Sequence, residues 1–263
     1  MTPLAAALVA ALASAPAGMA PAGAPPAACG LPPRAGPLPF RPGEVLRFDV
    51  DVMGVVKAGT LQLAVEPPIL GGSQLPLRAR VRNTSVFAKV RRVQAVAFSW
   101  VDPETLRPQR YRDEMDEDGR RKSTDVRFDR PGPTLTMAWT RGGERGRTAF
   151  TRAHPAALDL LSVLYYLRGA SLRPGGALCF DLFGNWRLWR LTGTVAGKPE
   201  RVDTPAGSFE TVRIDARLVR ADDPSKSRPL HLWISTDPRR LLVAAVSEVD
   251  VGPVRALLAG ATE

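Results

Sequence analysis

One stretch constrains the fold of this chain more than any other: residues 154–169, which read HPAALDLLSVLYYLRG. Its apolar residues recur at a helical period, Pro155 suits a first helical position and Gly169 suits a left-handed C-cap. The pattern therefore predicts a helix over 155–168. A helix of this length spans roughly 21 Å, which is too short to cross a bilayer. Because apolar side chains cover most of its circumference, we predict that it is buried against a curved β-sheet.

Strand-like segments lie on both sides of this helix and are separated by turn residues. Apolar and polar residues alternate in them, and Asp118-Gly119 and Gly184-Asn185 are typical of two-residue hairpin turns. Consecutive hairpins produce an antiparallel meander. We therefore predict a mostly β fold: a curved antiparallel sheet, or an open half-barrel or sandwich, of about a dozen strands with one buried central helix.

The N-terminal residues predict export from the cytoplasm. A short apolar run, Leu4–Leu12, precedes A-x-A sites at residues 13–15 and 22–24, although no Lys or Arg comes before the run. We predict a signal peptide over 1–24, a linker rich in Pro, Ala and Gly over 25–39, and a single β-rich domain over 40–260. The mature protein is then periplasmic or secreted.

The chain has two cysteines, Cys29 and Cys179, and three interpretations of them remain open. Ala27-Ala28-Cys29-Gly30 is similar to the end of a lipoprotein cleavage box, so acylated Cys29 would anchor the protein to the outer membrane, its one predicted contact with a membrane. A disulfide between Cys29 and Cys179 suits an oxidising compartment. Two free thiols are the third interpretation. Two cysteines this far apart do not form a metal site.

Charge gives one candidate ligand surface. The formal net charge is +10, which favours an anionic partner, although an excess of Arg beside Ala, Pro and Gly is also typical of a GC-rich genome. Residues 75–100 contain six bases and no acid, and three of the arginines alternate with apolar residues, so a strand would show them on one face. The predicted ligand-binding residues are Arg78, Arg80, Arg82, Lys89, Arg91 and Arg92. The alternative is that these bases lie on a solvent-exposed strand face and that the acidic turn at 116–118 balances their charge.

Catalytic and metal-binding patterns are weak in this sequence. His154 suits a helix N-cap and His231 lies in an alternating strand beside Trp233. Asp159, Ser162 and Tyr166 form a polar stripe on the helix, for which hydrogen bonding to the sheet is the favoured role. We predict no catalytic residues, no metal site and no cofactor.

Four segments together resemble one family of exported bacterial proteins, the domain of unknown function 3108. They are PFRPGEVLRFDV, DLLSVLYYLR, VDTPAGSFETVRI and HLWISTDPRRLLV. The resemblance spans about 40–258 and implies a curved antiparallel β-structure in the cell envelope. It supplies no catalytic residues.

Three hypotheses for function follow. The first is a non-catalytic periplasmic binding or assembly protein that holds an apolar or amphiphilic envelope component between sheet and helix, with lipid, lipoprotein or anionic glycan as partner. Nucleic acid is excluded as a partner because the chain is predicted to be exported and no aromatic residues interleave the arginines. The second is a scaffolding module without a ligand. The third is a hydrolase that uses His231.

Overall fold

The structure is a computed structural model that describes residues 29–52, 54, 56–89, 92–129, 132–152, 157–249 and 252–262. The predicted signal peptide and the residues Arg91, His154 and Pro155 lie outside the described residues. The strands are β1 Val45–Val52, β2 Val56–Val65, β3 Leu75–Asn83, β4 Val93–Val101, β5 Pro108–Glu117, β6 Arg120–Phe128, β7 Thr134–Arg141, β8 Glu144–Thr151, β9 Ala157–Asp159, β10 Ala177–Gly184, β11 Arg187–Val195, β12 Glu200–Thr204, β13 Gly207–Arg220, β14 Ser227–Ser235, β15 Leu242–Val249 and β16 Gly252–Thr262. The helices are α1 Ser85–Ala88 and α2 Ser162–Gly169, and a short 3-10 turn covers Leu70–Gly72.

The described strands form one 16-stranded sheet. Its order is β8-β7-β6-β5-β4-β3-β2-β1-β16-β15-β14-β13-β11-β10-β9, with β12 paired to β13 beside this path. The strands pair antiparallel except β9 and β10, which are parallel. Short connections join most neighbours, which is why the chain forms a meander. β1 and β16 pair in the middle of the order, so the first and last strands of the domain lie side by side.

Alternation along the strands explains where the core lies. On β3, Leu77, Ala79 and Val81 are buried whereas Arg80 and Arg82 are exposed. Successive side chains of a strand point to opposite faces, so this period of two places one face inward. The inward side chains of the sheet, with those of α2, form one hydrophobic core.

The sheet rolls until one of its edges packs on its own inner face. Ser99 on β4 donates a hydrogen bond to Asp159 on β9, with 2.5 Å between Oγ and Oδ2. The ring of Phe183 on β10 meets those of Tyr111 on β5 and Phe150 on β8 edge-on, with centroids 6.3 and 5.6 Å apart. The β9 edge is therefore covered inside the molecule and not open to pairing with another chain.

The predicted fold class is confirmed, with sixteen strands in place of about a dozen, but the predicted helix bounds, 155–168, are wrong. Residues 157–159 pair with β10 as a strand, and the helix begins at Ser162. Asp159 Oδ1 accepts hydrogen bonds from the backbone N–H groups of Leu161 and Ser162 at 2.9 and 2.8 Å. Ser162 Oγ accepts one from the N–H of Asp159 at 2.9 Å. These reciprocal bonds close a turn over 159–162, and the helix begins at the end of that turn. Apolar periodicity does not show this turn.

The turn of the β10–β11 hairpin also differs from the prediction by one residue. Gly184 pairs with Arg187, so Asn185 and Trp186 form the two-residue turn, and both have positive φ, 47° and 64°. A Cβ added at Gly184 would lie 2.4 Å from Leu160 Cγ. Gly184 therefore permits the close approach of Leu160 and is not a turn residue.

Residues 29–39, part of the predicted linker, lie against β10 and the end of α2. A disulfide joins Cys29 to Cys179, whose Cα atoms are 4.6 Å apart. Gly30 donates from its N–H to the carbonyl of Cys179 at 2.8 Å, and Ala35 to that of Gly169 at 2.9 Å. Acylation of Cys29 is incompatible with this bond, because one sulfur cannot carry both a disulfide and a lipid.

Candidate functional site

Helix α2 is fixed at its C-terminal end by Arg168, which is 1% exposed. Its Nη1 and Nη2 donate to the two carboxylate oxygens of Glu44 at 2.6 and 2.8 Å. Its Nε donates to the carbonyl of Arg240 at 2.8 Å. The planar guanidinium matches this bidentate geometry, and the buried charge pair is fully hydrogen-bonded.

Arg240 completes this anchor from the loop between β14 and β15. It donates from Nε to the carbonyl of Arg168 and from Nη2 to that of Ala170, the latter at 2.9 Å. These carbonyls lie at the helix end, where no intrahelical donor reaches them. The rings of Phe40 and Tyr165 lie 5.0 and 5.4 Å from the Arg168 guanidinium carbon. The C-terminal end of the helix is thus held by charge, hydrogen bonds and aromatic packing together.

The polar stripe predicted on the helix divides between two places. Asp159 and Ser162 are fully buried and bond to each other, and Asp159 also accepts a hydrogen bond from Ser99. Burial raises the pKa of Asp159 to about 6, although the hydrogen bonds from Ser99 and from the backbone N–H groups of Ser162 and Leu161 oppose the rise. Tyr166 instead donates from its hydroxyl to the carbonyl of Pro32 at 2.8 Å. All three therefore hold chain segments together.

An apolar pocket lies between α2 and the inner face of the sheet. Its volume is about 60 Å³. It is lined by residues that are all apolar except Ser247: Phe48, Leu61, Leu160, Val163, Leu164, Leu182, Leu218, Leu230, Leu232, Leu242, Ala245, Val246, Ser247, Val254 and Ala256. Leu160, Leu164 and Leu230 are only half-buried, although leucine side chains on a packed interior are normally covered. The pocket is therefore an apolar site that the protein's own side chains leave partly open.

A second interior region, under β4 to β6, is polar. Burial raises the pKa of Asp113 to about 6, against the influence of the nearby Thr124 and Tyr111 hydroxyls. Burial, followed by the charges of Asp113 and Asp159, raises the pKa of Tyr111 well above its usual value. Neither the Tyr111 nor the Thr124 hydroxyl meets hydrogen-bond geometry with any partner among the described residues. We call Ser99, Tyr111, Asp113, Thr124 and Asp159 the polar cluster.

The predicted arginine row lies on the outer face of the sheet. Arg78 Nε lies 2.5 Å from Glu66 Oε1, whereas Arg80 and Arg82 are exposed and have no ion pair in the described part of the chain. They line an outer groove of about 460 Å³ that also contains Glu114 and Asp116.

The other predicted members of the row lie in the connection between β3 and β4. Lys89 follows α1 and is exposed, and the backbone N–H of Arg92 donates to Asp118 Oδ1 at 2.7 Å. Arg91 lies outside the described residues. The six bases therefore do not converge on one described pocket.

His231 lies on the opposite face of its strand from the core. Its Nδ1 is 2.6 Å from Asp215 Oδ1, and its neighbour Leu232 is buried. Burial acts to raise the pKa of Asp215, but hydrogen bonds from His231 and Arg213 outweigh it and the pKa is lowered. Ser162 is fully buried inside the sheet. The structure therefore does not bring His231 together with Asp159 and Ser162.

Among the described residues, no group of three or more His, Cys, Asp or Glu side chains is placed to hold a metal ion. In the same residues, no helix has the length and apolar character needed to span a membrane.

Sequence reasoning missed Glu44 and Arg240 as partners of Arg168. The only local signal was a base in the last helical turn, which is common for dipole reasons alone. Glu44 is separated from Arg168 by 124 positions and Arg240 by 72. No motif spacing connects them, so the anchor becomes visible only when the strands are assembled.

Comparison with solved structures finds proteins of similar fold. The chain is similar to a β-barrel-like protein of the domain of unknown function DUF1849 from Brucella abortus, with TM-score 0.57 and 9% identity over 89% of this chain and 99% of that one. A protein from Bacteroides fragilis described as exported, with a YmcC-like fold, has TM-score 0.33 and 10% identity over 86% of this chain and 98% of its own. A protein from Parabacteroides distasonis described as a lipoprotein has TM-score 0.36 and 9% identity over 84% of this chain and 96% of its own. The first match supports the fold alone.

No curated protein matches the chain. A family model, the protein of unknown function DUF3108, matches residues 47–259. This range runs from within β1 to within β16 and includes α2, the apolar pocket and the polar cluster. The chain belongs to the DUF3108 family, as the four sequence segments predicted.

Proposed function

We propose that this protein is a non-catalytic binding protein of the cell envelope that holds the acyl chain of an amphiphile between α2 and the sheet. The observation that carries the proposal is the apolar pocket, whose lining is hydrocarbon except for Ser247. An apolar cavity of this kind stays dry and gains free energy when hydrocarbon fills it. The side chains of Leu160, Leu164 and Leu230 are only half-buried, so an acyl chain can reach the pocket from solvent between them.

The size of the pocket limits what it holds. One water needs about 10–15 Å³ of such volume, so about 60 Å³ accommodates a few methylene groups. Whole-ligand sites are larger, about 300–1,000 Å³. The pocket therefore takes the end of an acyl chain and excludes rings and headgroups. Each buried methylene contributes about 0.8 kcal/mol, so the end of the acyl chain alone binds weakly. The rest of the amphiphile must therefore contribute binding free energy through contacts outside this pocket.

Two observations support a location outside the cytoplasm. The sequence predicts a signal peptide, and the Cys29–Cys179 disulfide is of the kind that persists in an oxidising compartment. Because this bond occupies the sulfur of Cys29, we propose a protein that meets membranes through its ligand and not through a lipid anchor.

A binding role is favoured over hydrolysis by the placement of the candidate catalytic groups. Ser162 is fully buried and its hydroxyl accepts from the backbone N–H of Asp159, whereas His231 pairs with Asp215 on the outer face. A nucleophile and its base must lie within hydrogen-bond reach of each other.

The proposal is tested with two matched variants, each of which replaces a buried alanine by leucine, and with a radiolabelled twelve-carbon alcohol as probe. Ala256 and Ala97 are both buried on inward strand positions, 1% and 4% exposed, but only Ala256 lines the pocket. Enlarging either side chain costs about 1–3 kcal/mol through overpacking. Ala256→Leu should weaken probe binding at least tenfold, whereas Ala97→Leu should leave it within about twofold.

Native mass spectrometry of protein purified from its own membrane-containing lysate provides the second readout, with an acyl-bearing molecule expected. Absence of both co-purified lipid and probe binding would overturn the proposal and leave the scaffolding hypothesis. Equal losses in the two variants would place the probe elsewhere.

A further inference from the structure

A basic and aromatic pocket lies at the tip of the β10–β11 hairpin, where it meets β6 and β7. Its volume is about 270 Å³. It is lined by Lys122, Arg141, Asn185, Trp186, Arg187, Trp189 and Arg220. The lining contains four bases, one amide and two tryptophans but no acid. This composition suits a polar anion and is the opposite of that of the apolar pocket.

Nearby acids neutralise only part of this charge. Arg220 makes two hydrogen bonds to Asp222, at 2.9 and 2.8 Å, and Arg187 Nε lies 3.7 Å from the same carboxylate. Lys122 Nζ lies 3.6 Å from Glu117 Oε2. Arg141 has no ion pair with any of the residues that the structure describes. The charge of Asp223 also acts on Arg220, and Lys122 interacts with Asp113. Arg141 is therefore the base of this pocket that remains available to a ligand.

The hairpin turn that forms one wall of the pocket is strained. Trp186 has φ of 64°, a conformation that bulky residues rarely adopt and that glycine normally supplies in a two-residue turn. Strained backbone persists where surrounding contacts hold it, and it concentrates at functional sites. Here the Trp186 ring packs on Trp139 of β7, with centroids 5.5 Å apart. The contact between Trp186 and Trp139 thus connects the two ends of the sheet beside the bases.

The basic pocket is adjacent to the apolar pocket on the same face of the sheet. Leu182 pairs with Trp189, and Trp189 with Arg220. Leu182 and Leu218 line the apolar pocket, whereas Trp189 and Arg220 line the basic one. Residues two apart on a strand point the same way and lie roughly 7 Å apart. A single molecule can therefore reach both pockets.

We infer that the basic pocket binds a phosphate group carried at the head of the amphiphile whose acyl chain enters the apolar pocket. This inference rests on the proposed function and names its ligand class: a phosphate-bearing acyl amphiphile. Arginine forks bind phosphate oxygens in pairs, and the tryptophans exclude water from one side of the group. The headgroup contact supplies the binding strength that a few methylenes lack.

The experiment measures binding of dodecyl phosphate, dodecanol and inorganic phosphate to the full mature chain by calorimetry, below micelle-forming concentrations. The wild type should bind dodecyl phosphate at least tenfold more tightly than dodecanol and should bind inorganic phosphate weakly. Arg141→Gln should reduce the preference for dodecyl phosphate over dodecanol about fivefold without affecting dodecanol. Arg145 is an exposed arginine on the neighbouring strand β8 and does not line the pocket, so Arg145→Gln should change neither affinity.

Each outcome separates the two proposals. Equal affinity for dodecyl phosphate and dodecanol, or equal effects of Arg141→Gln and Arg145→Gln, would overturn the headgroup site while leaving acyl binding intact. Inorganic phosphate that binds as tightly as dodecyl phosphate would identify a free-anion site and overturn the amphiphile assignment. Failure of dodecanol and dodecyl phosphate alike would remove the proposed function itself. Added salt should weaken dodecyl phosphate binding and leave dodecanol binding unchanged.

Discussion

The rolled sheet encloses two interior regions of opposite chemistry. Between α2 and strands β1, β2, β10 and β13 to β16, the lining is hydrocarbon with Ser247 as the exception, and an apolar pocket remains. Under β4 to β6, the inward positions carry the polar cluster, with two carboxyl groups of raised pKa and two hydroxyls without described partners. Both regions use the same alternation of strand residues. A few inward polar residues therefore decide whether a region of the sheet can receive hydrocarbon.

The two regions also differ in what they contribute to stability and to ligand binding. Buried polar groups cost free energy unless they are paired, so the polar cluster weakens its region and offers no apolar surface. The apolar region loses packing around its pocket but gains a surface that a ligand can cover. Helix α2 joins the two, because Asp159 precedes it on the polar side and Leu164 faces the pocket. The anchor at Arg168 holds the helix in this position.

The largest expected effect comes from breaking that anchor, which would remove the separation between the two regions. Arg168→Met leaves the Glu44 carboxylate buried without its partner, so we expect a loss of about 3–5 kcal/mol in the free energy of unfolding. Urea denaturation monitored by tryptophan fluorescence measures it.

The double variant Arg168→Met/Glu44→Leu should recover most of that loss, because two apolar side chains need no charge partner. Arg217→Met, at an exposed position on β13, is the control and should change stability by less than about 0.5 kcal/mol. A loss in Arg168→Met no larger than in this control would show that the charge pair does not hold the helix.

The second prediction uses pH to distinguish the regions. Asp113 and Asp159 have pKa values of about 6 in the folded protein, above the ordinary value of 3.8. The folded state therefore binds protons more tightly than the unfolded state, so their contribution is present below about pH 4 and is lost as pH rises through about 6. A rise of this size in pKa corresponds to about 3 kcal/mol for each group.

Asp159→Asn should flatten this part of the pH profile. Its amide oxygen can still accept from the N–H groups of Leu161 and Ser162, and it cannot ionise. Ala256→Leu changes the apolar region, whose lining has no titratable group, and should keep the wild-type slope between pH 4.5 and 7.5. Denaturation across this range is the measurement, and an unchanged slope in Asp159→Asn would contradict the assigned pKa.

The sequence predicted the class of the fold because alternation and turn chemistry are local properties. It predicted where apolar residues of α2 lie, but not where the helix begins, because Asp159 and Ser162 can either sit inside a helix or close the turn that precedes one. The polar cluster was out of reach for a related reason. Ser99 and Asp159 bond across 60 positions, and only the rolled sheet brings them together. Arg141 and Trp186 were missed as neighbours because their strands meet only where the sheet closes on itself.

The smallest expected effect concerns a single hydroxyl of the polar cluster. Tyr111 is fully buried and its hydroxyl has no hydrogen-bond partner in the described residues, so Tyr111→Phe should leave the free energy of unfolding unchanged or raise it by up to about 1 kcal/mol. Tyr166→Phe is the matched control, because that hydroxyl bonds to the Pro32 carbonyl at 2.8 Å and its removal should cost about 1 kcal/mol. Both are measured by urea denaturation at pH 7.5. A loss above about 2 kcal/mol in Tyr111→Phe would mean that the hydroxyl bonds to Asp113. The Tyr111 hydroxyl would then be hydrogen-bonded, as the groups of the helix anchor are. The two regions would differ in the polarity of their side chains but not in their contribution to stability.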